Sequence, residues 1–326
     1  MASLPPPVRT ATHQPGLAVF AGVASTWVFV LVALGAFTTT IGAGMVFLDW
    51  PTSNGSFNPP GWLTDVNKFA EHSHRLSAEV MSTLTIILAI WIGRTEKRKW
   101  LRQLAYWAVG LVLAQALVGG LRVLLEPVQV QSVSTSLGQL FAMLHACLAQ
   151  AFACTLIAIA CALSRHWIAQ RNPVQPRVRT IGKALCVLLF LQLAVAAVLR
   201  HSFAGLAIPT FPYSTPAGGL LPDHWDFRVA IHFTHRVIAG LLALTVLTFA
   251  VLIWLDRGAT LVLRCGASIL VALISLQIML GAFIIWSHRA VAITTGHVLV
   301  GAATLACGFG LTWLAHRDPI EEGYRR

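Results

Sequence analysis

An all-α polytopic membrane protein, with eight transmembrane helices arranged as two tandem pseudo-symmetric four-helix bundles, is predicted by three features of the 326-residue sequence. Its composition is 56% hydrophobic and only 11% charged, with a mean hydropathy of +0.73, more apolar surface than a soluble chain of this length needs. The apolar residues arrive in blocks of about 20, the length that crosses a hydrocarbon core. The second half also repeats marked positions of the first at a nearly constant offset.

Residues 1–16, MASLPPPVRTATHQPG, carry no cleavable signal pattern and read as a short tail. Spans follow at 17–41, 69–92, 103–125 and 137–163, which make up a first half over 17–163. A linker covers 164–180. A second half over 181–314 holds spans at 181–199, 229–254, 262–286 and 290–314, and 315–326 is a second tail. Blocks this long and continuous suit helices, which satisfy their own backbone in lipid, rather than the short alternating strands of a barrel.

The net charge of +11 sits in particular connectors rather than on one basic face, so it argues against a nucleic-acid partner and reports topology instead. Arg94, Lys97, Arg98, Lys99 and Arg102 follow the second span, and Arg165, Arg171, Arg177, Arg179 and Lys183 follow the fourth. Arg257 and Arg264 flank the sixth-to-seventh turn, while Arg317, Arg325 and Arg326 end the chain. With Arg9, sixteen of the 23 basic residues lie on one side, which the positive-inside rule makes cytoplasmic. The expectation is a multi-pass protein of a bacterial-type plasma (inner) membrane with both termini cytoplasmic. All six cysteines fall within predicted spans, and Cys147, Cys154 and Cys161 share a stripe of the fourth as small packing residues.

At an offset of 161, Ala43, Gly44 and Pro51 fall on Ala204, Gly205 and Pro212, Trp50 on Phe211, and His74-Arg75 on His235-Arg236. At 162, Gln115 and Gly119 meet Gln277 and Gly281. Four spans per unit is an even number, so the halves share one orientation and are related by an axis along the membrane normal. The long connectors, GAGMVFLDWPTSNGSFNPPGW and FAGLAIPTFPYSTPAGGLLPDHW, face outward. They read either as lids or as plain aromatic-belt loops.

The chemistry lies in the histidines. His74 and His235 stand in the first outer turns of spans two and six, and His145 and His297 about two turns inside spans four and eight, all at similar depth. A histidine within a span is costly, and its neutral imidazole is a good iron ligand. Paired across neighbouring helices, the four can sandwich one haem in each half as bis-imidazole iron. The plainer alternative is that they bridge helices by hydrogen bonds. Arg75 and Arg236 suit a haem propionate, or else snorkel to lipid headgroups. Glu71 shares a helix face with His74, and His232 stands at its place in the second half, so the halves differ in task. Glu71 can take a proton or stabilise a developing cation, or simply favour its helix N-terminus or pair with Arg75. His72, about 100° from His74 around the helix, and His232 read as groups beside the ligands. His201, His224 and His288 read as solvated or interfacial, and His13, His166 and His316 carry no assignment.

EHSHR at 71–75, HFTHR at 232–236, the single histidines at 145 and 297, the duplicated layout and DWP at 49–51 resemble the haem A synthase (Cox15/CtaA) family over about residues 20 to 315. The resemblance implies an integral membrane oxidoreductase that converts the C8 methyl of haem O to the formyl of haem A for terminal oxidase assembly. It further implies oxygen from water and a hydroxylated haem I intermediate. By position, it makes His235 and His297 ligands of a haem b cofactor, and His74 and His145 brackets of the substrate haem O, with Glu71 the catalytic carboxylate. Implied partners are haem O synthase, a membrane electron acceptor and the lipid bilayer; a homo-oligomer is admitted. Many family members carry a cysteine pair near the DWP, where this chain has Phe47 and Ser53. Two other readings stay open: a di-haem b electron-transfer subunit, which usually places its haems at opposite faces, and a haem transporter or chaperone.

Overall fold

The computed structural model describes residues 12–130 and 135–323. Eight of its helices are long and apolar enough to cross a membrane. They are α1 (Pro15–Thr40), α2 (Val66–Thr95), α3 (Lys99–Leu124), α4 (Leu137–Leu163), α6 (Pro176–His201), α7 (Phe227–Leu255), α8 (Leu261–Trp286) and α9 (Val291–Ala315). Two short helices, α5 (Arg165–Ala169) and α10 (Arg317–Gly323), and a hairpin of β1 (Gln129–Val130) with β2 (Thr135–Ser136) complete the description. The chain is an all-α polytopic membrane protein.

Hydropathy located every span, but several helices run past the apolar blocks. The predicted second span starts at 69, whereas α2 begins at Val66, because the Asp65 carboxylate accepts the N–H groups of Asn67 and Lys68. α6 begins at Pro176, in the first helical position that proline favours. α4 starts on a capping box of Ser136 and Gln139. Helical backbone continues through the polar membrane boundary, where side-chain hydropathy has already stopped signalling it. The expected C-terminal tail also folds: Glu321 of α10 is buried, accepting Trp167 Nε1 at 2.7 Å and pairing with Arg98 at 3.3 Å. Arg9, Arg325 and Arg326 lie outside the described residues.

Each set of four long helices packs as a ring. In the first, α1 touches α2 and α4, and α3 touches α2 and α4; in the second, α6 touches α7 and α9, and α8 touches α7 and α9. The rings meet through α1 against α9, α4 against α9, and α4 against α6. Burial follows from this: half of the apolar window of α4 and of α9 is buried, against 22% for α1, α6 and α8. On α1 the inward stripe is Leu17, Ala21, Ala24 and Val28, spaced three or four apart as one helix face requires. Val187, Trp107 and Leu244 stand exposed, as side chains facing lipid do.

Candidate functional site

Within each ring the paired histidines come from diagonal helices, α2 with α4 and α7 with α9, rather than from packed neighbours as the sequence reading had it. The bundle centre therefore lies between them. His74, His145 and His235 are each the ninth residue of their helix and His297 the seventh, counted from the ends joined by the outward connectors. At 1.5 Å per residue this sets all four about two turns deep. His74 and His235 are deeper than the first turn expected for them, because capping starts α2 and α7 earlier.

Glycines make room for the rings. A Cβ on Gly35 of α1 would stand 2.8 Å from Cε1 of His74, one on Gly119 of α3 2.9 Å from Cε1 of His145, and one on Gly281 of α8 3.3 Å from Cε1 of His297. Gly119 and Gly281 are a repeat pair, so the cradle is part of the duplicated frame.

The second-half pair is held by glutamines. His235 and His297 have ring centroids 6.5 Å apart. Gln192 Nε2 lies 3.0 Å from Nδ1 of His235 and also donates to that residue's carbonyl. Nδ1 of His297 is 3.1 Å from the carbonyl of Gln277, which places the ring proton on Nδ1, and the Gln277 side-chain Nε2 lies 3.2 Å from Nε2, so this glutamine contacts both ring nitrogens. Two metal–imidazole bonds of about 2 Å each, added to the two ring radii, come close to the separation seen. In the first half, Nδ1 of His74 and Nδ1 of His145 are buried with no hydrogen-bond partner, and Gln115 donates to the His145 carbonyl rather than to its ring. Among the described residues no group of three or more His, Cys, Asp or Glu side chains is placed to hold a bare metal ion. Isolated pairs of imidazoles do fit an iron whose other ligands belong to a porphyrin.

The outer loops follow one path twice. Ile41–Asp65 and Ser202–Asp226 are 25 residues each, with an aspartate capping the next helix at the end of both. Trp50-Pro51 and Phe211-Pro212 are both cis. The Trp50 indole fills the space above Gly120 of α3, while Phe211 meets Trp286 of α8 edge-on, so each loop folds back over its own bundle.

Arg75 and Arg236, read from sequence as propionate partners, turn their donors onto these loops. Arg75 binds the carbonyls of Phe47, Asp49 and Thr52, and Arg236 those of Ile208, Thr210 and Tyr213, the same three positions at an offset of 161. Glu71 completes the clamp: its Oε2 accepts from Val46 N at 2.7 Å and Phe47 N at 3.2 Å, and its Oε1 pairs with Arg75. His232 takes its place, with Nδ1 accepting from Ile208 N at 3.2 Å and Nε2 facing Arg236 Nε at 3.4 Å.

His72 is buried against the first loop, 3.1 Å from Ser53 Oγ and edge-on to Trp62. Phe47 and Ser53 are themselves buried there. Asp49 accepts from Thr52 Oγ1, Asn54 N and Gly55 N. Burial raises the pKa of its carboxyl, but these donors outweigh that and hold it down at about 2. His224 and His288 are exposed, whereas His201, read as interfacial, ends α6 half-buried. Gln192 and Arg122 escaped sequence reading altogether. Gln192 has an in-span position as its only signal, and Arg122 was one more basic residue near a helix end.

A family model described as cytochrome oxidase assembly protein, COX15-CtaA, matches residues 18–308. Relatives named Heme A synthase include one from Listeria welshimeri, 26% identical over 82% of this chain and 85% of its own length. Another, from Methylobacterium radiotolerans, is 24% identical over 91% and 94%, and one from Exiguobacterium is 26% identical over 90% of each. With two histidine pairs on a duplicated eight-helix frame and a family match from end to end, the chain belongs to the COX15-CtaA family of cytochrome oxidase assembly proteins.

Proposed function

We propose that the protein is a haem A synthase, an oxidoreductase acting on a methyl group: it oxidises the C8 methyl of haem O to the formyl of haem A, with oxygen from water, for terminal oxidase assembly. The observation that supports this reading is the contrast between the two histidine pairs. His235 and His297, braced by Gln192 and Gln277, suit a resident haem b; His74 and His145, with unpartnered ring nitrogens, suit a porphyrin that enters and leaves. The bound haem b supplies one-electron chemistry.

The chain's residues do the rest. His74 and His145 orient the substrate between diagonal helices, and the folded-back loop shields it from bulk water. Glu71 is the catalytic carboxylate: loop N–H groups and Arg75 fix its two oxygens, from where it stabilises positive charge or takes the proton that the methyl carbon loses. Electrons leave for an acceptor outside the chain. The protein works in a bacterial-type inner membrane with both termini cytoplasmic, its first half (17–163) the substrate domain and its second (181–314) the cofactor domain, supplied by haem O synthase.

One observation favours a second reading. Glu71 and His232 anchor the same loop position, as a purely structural acid would, and a di-haem electron-transfer subunit or haem carrier asks no more. Haem extraction with mass analysis from cells making haem O decides between them. Haem A or its hydroxylated precursor with the wild type but not with Glu71→Ala or His74→Ala supports the synthase; recovery of haem b and haem O alone rules it out.

A further inference from the structure

Arg122 stands near the outer end of α3, three residues beyond Gly119, on the face that carries the glycine under the His145 ring. Its guanidinium meets the start of the first outer loop edge-on, both terminal nitrogens nearer than Cζ to where a Cβ on Gly44 would stand, 2.8 Å for Nη1 and 3.1 Å for Cζ. Among the described residues the guanidinium makes no hydrogen bond and no ion pair, although Glu71 and Glu126 balance it at longer range.

Arg122 is partly buried in a helix otherwise apolar at that depth, and none of its five donors is met among the described residues, which leaves them open to an acceptor from outside the chain. Arg75, one clamp away, shows the ordinary outcome, with its donors spent on loop carbonyls and Glu71. The second half has no counterpart, since the offset of 162 places Ile284 at the equivalent position. Arg122 is thus a cation that only the first half owns, one turn outward from its histidine pair, with its fork of donors uncommitted.

We propose that Arg122 is the anion anchor of the first-half site, binding a propionate carboxylate of the porphyrin held between His74 and His145. This rests on the first half being the substrate haem site. A planar guanidinium pairs two-pronged with a carboxylate, and an anchor one turn above the iron ligands fixes the porphyrin's rotation about the axis between the imidazoles. Only one rotation brings the C8 methyl toward Glu71, so Arg122 is a positioning residue that selects which methyl is presented.

The test uses the full-length protein in lipid nanodiscs, titrated with iron protoporphyrin IX or with its dimethyl ester and followed by the Soret band. His74→Ala marks which part of the signal belongs to the first half. The wild type is expected to bind the free acid about ten- to a hundredfold more tightly than the ester at that site, the worth of one charge-assisted hydrogen-bonded pair. Arg122→Gln is expected to lose that preference by weakening only the free acid, Arg122→Lys to keep part of it, and neither to alter the second-half spectrum. Equal binding of acid and ester by the wild type overturns the proposal without any variant, and so does a glutamine variant that keeps the preference. Absence of any His74-dependent binding instead removes the first half as a haem site, and this proposal with it.

Discussion

In the first half Glu71 and in the second half His232 receive a loop N–H at equivalent positions, Phe47 and Ile208, and each faces the arginine four residues on. An anion and a neutral ring thus do the same mechanical work. At the bundle centres the halves part further: Gln192 stands beside His235 where an offset of 161 gives Leu31, and Arg122 stands where the second half has Ile284. The halves share the loop clamps, the histidines and the Gly119/Gly281 cradle, and they differ at Glu71/His232, Leu31/Gln192 and Arg122/Ile284. What a residue clamps is therefore the poorer guide to its task, and how its position differs between halves is the better one.

The comparison breaks most visibly at the histidines. His235→Ala is expected to lose the resident haem spectrum and activity together. His74→Ala should leave that spectrum in place while product formation drops by at least about 100-fold; the absorbance of the purified protein and haem A content read the two effects separately. Equal spectral loss in both variants would mean that the halves are not specialised.

A smaller effect sharpens the clamp. Arg75→Leu strands a buried carboxylate and should cost about 3 kcal/mol or more, whereas Arg236→Leu strands only a neutral imidazole and loop carbonyls, about 1 to 3 kcal/mol. Thermal unfolding in detergent orders the two, and the reverse order counts against Glu71 being ionised there. Glu71→His copies the second half into the first. Its melting temperature should shift by no more than a stability change of about 1 kcal/mol while haem A formation is lost, and an active variant would demote Glu71 to a loop anchor.

The faintest contrast is with acid. Asp49 has a folded pKa of about 2 against an ordinary 3.8. A lowered pKa stabilises the fold above the unfolded value, so the first loop should loosen as pH falls below about 4. Thr210 stands at the equivalent place and does not titrate. Limited proteolysis at pH 3 should cut the first loop sooner than the second, and Asp49→Asn should make the first loop's cleavage independent of pH between 3 and 6.

The eight spans were legible because lipid enforces long apolar blocks, against which the four histidines stand out as polar exceptions. The loop contacts of Arg75 and Arg236 were not legible because a sequence shows a charge but not the three carbonyls that converge on it. Diagonal pairing was hidden as well, since which helices adjoin depends on how the ring closes, and no periodicity within one helix encodes that. The Asp65 and Asp226 caps went unread because they stand at a boundary that hydropathy places two or three residues too late.

The turn between α2 and α3 depends on a helix far away in sequence. Arg98, in the turn between α2 and α3, is tied to Glu96 at 2.8 Å and to the carbonyl of Ala162, and its remaining partner, Glu321, lies 223 residues downstream. Trp167 shares that same carboxylate. Without α10 the turn keeps the Arg98–Glu96 pair, but the Trp167 indole N–H loses its acceptor. Among the described residues Glu321 alone supplies a carboxylate to both Arg98 and Trp167, so removing Arg317–Gly323 should expose Trp167 and raise its accessibility to protease and quencher.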